Sequence, residues 1–73
     1  MLNKTEMIES ALNAALALAS DDFTIHFHLG LLYFTTNRFE KAEGKFQTVT
    51  RLNPTYMRGY DLLGQAQEEL EKD

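Results

Sequence analysis

His26-Phe27-His28-Leu29-Gly30-Leu31-Leu32-Tyr33 decides the fold, together with Ala42, Phe46 and Pro54 downstream. Phe23, Phe27, Leu29, Gly30, Leu32, Tyr33 and Phe34 leave no fully polar face on a helix over residues 22–36. That suits a helix with neighbours on several sides. Over residues 39–52, Phe39, Ala42, Phe46, Val49 and Leu52 recur at three- and four-residue steps, the period of an amphipathic helix. Asn37-Arg38 is the turn between the two, since asparagine tolerates the left-handed conformation that ends a helix. Pro54 cannot continue the second helix and restricts Asn53, so that helix stops there.

The quoted residues have the form x-x2-L-G-x2-Y…A-x3-F…P, with His26 where the pattern has tryptophan. In this the chain resembles the tetratricopeptide repeat (TPR) family. Core packing in any helical hairpin would explain each residue singly; the set at these intervals carries the resemblance. It implies a unit of two antiparallel helices, A over 22–36 and B over 39–52. Gly30 would let B approach A closely, with the small Ala42 opposite. Leu29, Tyr33 and Phe46 would fill the space beside that contact.

Shifting the chain against itself by the roughly 34-residue period of that family lays Leu29-Gly30 on Leu63-Gly64 and His26 on Tyr60. It also lays Asn3, Glu6, Glu9 and Leu18 on Asn37, Glu40, Glu43 and Leu52, and Ile8, Leu12 and Ala15 on Ala42, Phe46 and Val49. The first helix thus resembles a B helix and the last an A helix. The expected fold is all-α, a single domain over residues 1–73. Helices over about 3–19, 22–36, 39–52 and 55–71 would form antiparallel hairpins, stacked as a short TPR-like right-handed superhelical array. Its structural positions are Leu29, Gly30, Tyr33, Ala42, Phe46, Pro54, Leu63 and Gly64.

Local signals place the ends. Asn3 with Glu6 has the form of a capping box. Ser20-Asp21-Asp22 breaks the alanine-rich first helix and caps the next, and Thr55 is the expected cap of the last. Gly44 and Gly59 fall inside helices, where tolerance explains each more simply than a close contact; Gly59 is expected against the central A helix. In the last helix Gln67 and Glu68 replace Tyr33 and Phe34, giving the polar outer face of a terminal helix. The acidic run Glu68, Glu69, Glu71 and Asp73 reads as a solvated face.

The 73 residues are 44% apolar and carry a net charge of −4. A chain this short builds a thin core. An acidic surface without a basic run disfavours nucleic acid as a partner. The chain has no cysteine, hence no disulfide or thiol chemistry, which suits the cytoplasm. No run of 18 apolar residues supports membrane insertion, and Leu12–Ala19 lacks the flanks of a signal peptide. No catalytic or cofactor-binding motif is present, so no enzyme is expected. His26 and His28, two apart, project on different sides of a helix and cannot share a metal as an i, i+4 pair does. His26 is expected as a packed, hydrogen-bonded ring.

What remains is surface. In TPR proteins the A helices line a concave groove that receives peptides or helices. Carried onto this chain, the resemblance makes Thr24, Phe27, Leu31 and Phe34 the groove face of the central A helix, with Arg58, Asp61 and Gln65 on the last helix. The expected function is a protein–protein interaction module, a scaffold, adaptor or assembly subunit, using an apolar groove for an unidentified protein or peptide. A second reading is a structural module that buries its apolar strip in a homo-oligomer. A third is a secretion or assembly chaperone of TPR type. The first helix keeps a broad apolar set, including Met7, Ala11, Ala14 and Leu18. Either that face self-associates as in a homodimer, or the chain is part of a longer array, or the helix folds back as a plain bundle member.

Overall fold

Asn3 starts the first helix in the manner its pattern predicts. Its side-chain oxygen accepts from the Glu6 backbone N–H at 2.8 Å, and its amide reaches back to the Glu6 carboxylate. The computed structural model describes residues 3–72; Met1, Leu2 and Asp73, the last residue of the acidic run, lie outside them. Four helices follow in order: α1 (Lys4–Leu18), α2 (Phe23–Thr35), α3 (Phe39–Leu52) and α4 (Met57–Glu71). The fold is all-α, built of antiparallel hairpins in which each helix packs on the next.

The caps explain the boundaries. Asp22 accepts from the Thr24 N–H and hydroxyl and opens α2. Helix α2 closes in a Schellman motif: Asn37 N–H donates to the Phe34 carbonyl and Arg38 N–H to the Tyr33 carbonyl. Asn37 sits at φ 63°, the left-handed conformation read from its residue type. Helix α3 ends at Leu52, and Asn53 leaves helical geometry ahead of Pro54. Thr55 does not cap α4. Its hydroxyl donates to the Asn53 side chain at 3.0 Å, and the helix begins two residues later than expected, with Tyr56 as its capping residue.

The core is the α2–α3 seam. Leu29, Ala42, Phe46, Val49 and Ala66 are fully buried, with Phe27 and Tyr33 nearly so. Gly30 is the close contact, and the atoms nearest to it belong to Phe46. A Cβ placed on Gly30 would lie 2.5–2.9 Å from three atoms of the Phe46 ring. The ring takes the space that the missing side chain leaves, and Ala42 is fully buried in the same seam. Gly59 is also a close contact, against α3 and not against the central A helix: a Cβ there would lie 2.8 Å from a Val49 methyl. Gly44 is open, as tolerance implies. Gly64 occupies the repeat position of Gly30, yet nothing lies within 4 Å of where its Cβ would be. No helix packs there as α3 packs on α2.

The Cα envelope measures 34 × 30 × 14 Å. A slab so thin has little interior, and α1 contributes no fully buried residue to it. Leu12 and Leu16 of α1 rest against the core. Met7, Ile8 and Leu18 stay exposed.

Candidate functional site

Two faces and one polar cluster stand out. The first face joins α2 to the start of α4. Phe23 and Phe27 both pack on Tyr56, with ring centroids 5.1 and 5.2 Å away. The Arg58 guanidinium lies over the Phe27 ring, 5.2 Å from its centroid, and such a contact contributes roughly 0.5–1 kcal/mol at an exposed site. The groove residues expected from sequence therefore divide. Phe27 is only 5% exposed, because Tyr56 and Arg58 cover it; it is a core residue and corrects that expectation. Leu31 is half-buried. Phe34 is half-buried too, its ring edge-on to Phe39 at 5.3 Å. Thr24, Arg58, Asp61 and Gln65 are exposed. Of the set, the partly exposed apolar residues are Leu31 and Phe34, and the exposed ones are polar or charged.

The second face is α1. Met7 is 58% and Leu18 91% exposed, and Ala11 and Ala14 between them are exposed as well. These are the four residues read as the self-association face, and they lie together on one side of the helix, away from Leu12 and Leu16.

The polar cluster ties α1 to the α2–α3 turn. Arg38 makes a 3.0 Å ion pair with Glu9, and the Tyr33 hydroxyl donates to the same carboxylate at 3.3 Å. Arg38 also stacks 4.6 Å from the Tyr33 ring centroid, with Lys41 on the same ring at 5.6 Å. The Arg38 hydrogen bond holds the Glu9 carboxyl below its ordinary pKa, helped by the charges of Arg38 and Lys41 and the Tyr33 hydroxyl, against an opposing effect of burial. Burial pushes the Tyr33 hydroxyl up, and the negative Glu9 beside it pushes the same way. Tyr33 is therefore a protonated donor at neutral pH, not a base. No signal in the sequence marks this cluster, since Glu9 and Arg38 come from different repeat positions. Tyr56 was equally unforeseen as a packing residue, because the repeat pattern stops at Pro54.

His26 is a packed ring. Its Nε2 lies 2.8 Å from the Ser20 carbonyl oxygen, so that nitrogen carries the proton and donates. Its Nδ1 is buried without a partner. His28 is exposed. Among the described residues no group of three or more His, Cys, Asp or Glu side chains could hold a metal ion. No described helix is long and apolar enough to cross a membrane. An open depression lined by Asn37, Arg38, Phe39, Glu40, Lys41 and Leu70 lies between the α2–α3 turn and the end of α4, and its Phe39 packs on Phe34.

Residues 23–56 match the family model of the tetratricopeptide repeat. No curated protein and no solved structure matches the chain.

Proposed function

Because the chain carries a tetratricopeptide repeat at residues 23–56, we propose that it is a protein–protein interaction module that receives an amphipathic segment along α2 and the start of α4. Such repeats serve protein–protein interaction generally and are typically non-enzymatic. The observation that supports the reading is the half-burial of Leu31 and Phe34 on α2, with Thr24, Arg58, Asp61 and Gln65 exposed. Helix-in-groove recognition uses this combination, an apolar seam for affinity and rim charges for orientation. Arg58 is held in place by the Phe27 ring beneath it, which lowers the ordering entropy it loses on pairing with a partner's carboxylate. The role is that of a scaffold, adaptor or assembly subunit in the cytoplasm, where a chain without cysteine is at home. Holding apolar segments as an assembly chaperone would use the same strip.

Panning a displayed library of amphipathic helical peptides against the chain tests this. Retained peptides should shift amide resonances at positions 24, 31, 34, 58, 61 and 65. Leu31→Glu should abolish retention while the far-UV circular dichroism stays helical. Peptides that bind the variant equally well would refute the groove. A second reading, self-association, draws support from the exposed Met7 and Leu18.

A further inference from the structure

We propose that His26 is an acid-operated latch: its neutral ring fastens the turn between α1 and α2, and a second proton on that ring releases it. The latch is independent of the peptide groove and of self-association.

The ring joins two segments. It sits in the first turn of α2, 8% exposed. Its Nε2–H donates at 2.8 Å to the Ser20 carbonyl, in the turn that follows α1. Seven residues along the same face of α2, the Tyr33 hydroxyl donates to Glu9 of α1. One stripe of α2 therefore fastens α1 through Glu9 and the turn behind α1 through Ser20, and Leu12 and Leu16 rest against the core between those points.

With Nε2 donating, Nδ1 of the neutral ring is an acceptor, and it is enclosed without a partner. Among the described residues it is the one buried side-chain nitrogen or oxygen left so. A second proton goes to Nδ1. It turns an idle acceptor into a charged donor with nothing to receive it, which a buried site tolerates poorly. The surrounding charges do not supply a receiver. From Ser10 to Ser20 the chain has no charged side chain. In the turn, Asp21 and Asp22 are exposed. The His26 charge does act on Asp22, but that carboxylate is committed to the Thr24 N–H and hydroxyl, and solvent screens the attraction. On α2, His28 is exposed; on α3, which runs antiparallel to α2, Arg51 near its end is exposed; on α4, Asp61 is exposed and Arg58 lies over the Phe27 ring. The positive end of the α2 dipole also opposes a cation there. The enclosed Nδ1 outweighs the screened Asp22.

A ring that must be neutral to close binds its second proton when open, so closing weakens as pH falls. A free imidazole has its midpoint at about 6.5, so going from about pH 7.5 to about pH 5.5 raises the open fraction about tenfold. Glu9 and Asp22, held below the ordinary carboxyl values of 4.5 and 3.8, keep their charge over that range. The Ser20 end therefore opens while the Glu9 end holds.

Backbone amide exchange of the whole chain, read by NMR and divided by the intrinsic rate at each pH, tests the latch. The reporters are the amides of Ala19 and Asp22, bonded to the Ala15 and Ala19 carbonyls. Their protection should fall about tenfold between about pH 7.5 and about pH 5.5, with exchange beside Phe46 slower throughout. His26→Gln, whose amide can donate to Ser20 but does not titrate, should abolish the fall; His28→Gln should keep it. No fall in the wild type, a fall that persists in His26→Gln or vanishes in His28→Gln, or equal exchange beside Phe46 would each overturn the latch. Should His26→Gln fail to fold, the ring nitrogens of the wild type decide. They should report the Nε2–H tautomer in the closed form at both pH values. A doubly protonated ring with Ala19 and Asp22 still protected would overturn it. None of these results touches the peptide groove, whose test is Leu31→Glu.

Discussion

Gly30→Ala and Gly64→Ala occupy the same position of the repeat and should move stability in opposite directions. In the middle of a helix, alanine is favoured over glycine by about 0.8–1.0 kcal/mol, and both sites lie inside a helix. At Gly64 nothing opposes that gain, since no atom lies within 4 Å of the new Cβ. At Gly30 the Cβ would meet three atoms of the Phe46 ring at 2.5–2.9 Å, well inside ordinary van der Waals contact. The ring cannot swing clear, because Phe46 is fully buried and packed against Phe27 with centroids 5.9 Å apart. Overpacking of this kind costs about 1–3 kcal/mol. The difference between the two variants isolates that cost. At roughly 4–8 °C per kcal/mol for a domain of this size, the melting temperatures should differ by about 4–24 °C. Thermal melts followed by far-UV circular dichroism measure it. Phe46→Leu should recover part of the loss in the Gly30→Ala background while lowering stability on its own. If Gly30→Ala melts with Gly64→Ala, the ring does not depend on the missing side chain and the account of the seam is wrong.

Asn37→Val should destabilise by about 1–2 kcal/mol, because a β-branched residue is strained at φ 63°, whereas Asn37→Gly should keep stability within about 1 kcal/mol of wild type; chemical denaturation distinguishes them. Glu9→Gln tests the polar cluster through pH. The folded Glu9 carboxyl titrates below its ordinary value of 4.5, so its contribution is fully present above that value and fades as pH falls through the folded pKa. At neutral pH the variant should lose less than about 1 kcal/mol, since the pair is partly exposed, and the deficit should shrink with salt and in acid. A deficit unchanged at low pH would assign it to packing instead.

The sequence was most legible where one residue type does a job alone. Asn3, Asp22, Asn37 and Pro54 mark helix ends through their own backbone and side-chain chemistry, and the ends lie within a residue or two of them. Periodicity named the buried face of α3, because a helix of fixed pitch must bury what recurs at that pitch. It could not say which neighbour reaches a given point. Phe46, expected beside the Gly30 contact, lies directly against it. Gly59 was assigned to α2 and lies on Val49. Phe27 was placed on the surface because the two side chains that cover it, Tyr56 and Arg58, belong to a different helix pair. Thr55 failed as a cap because α4 starts at Met57 and the capping position falls on Tyr56.

The thin attachment of α1 sets an order of opening. Nothing on that helix is fully buried, and the polar part of its hold on the rest is one partly exposed cluster around Glu9 and Arg38. Helices α2 and α3 share the seam of Leu29, Phe46 and Val49. Amide protons on α1 are therefore released by a small local event, while those beside Phe46 exchange only when the whole domain unfolds. Hydrogen exchange should therefore be faster on α1 than across the α2–α3 seam. Any second molecule that seats on α1 slows that exchange, and its occupancy can be counted, amide by amide, without separating bound from free.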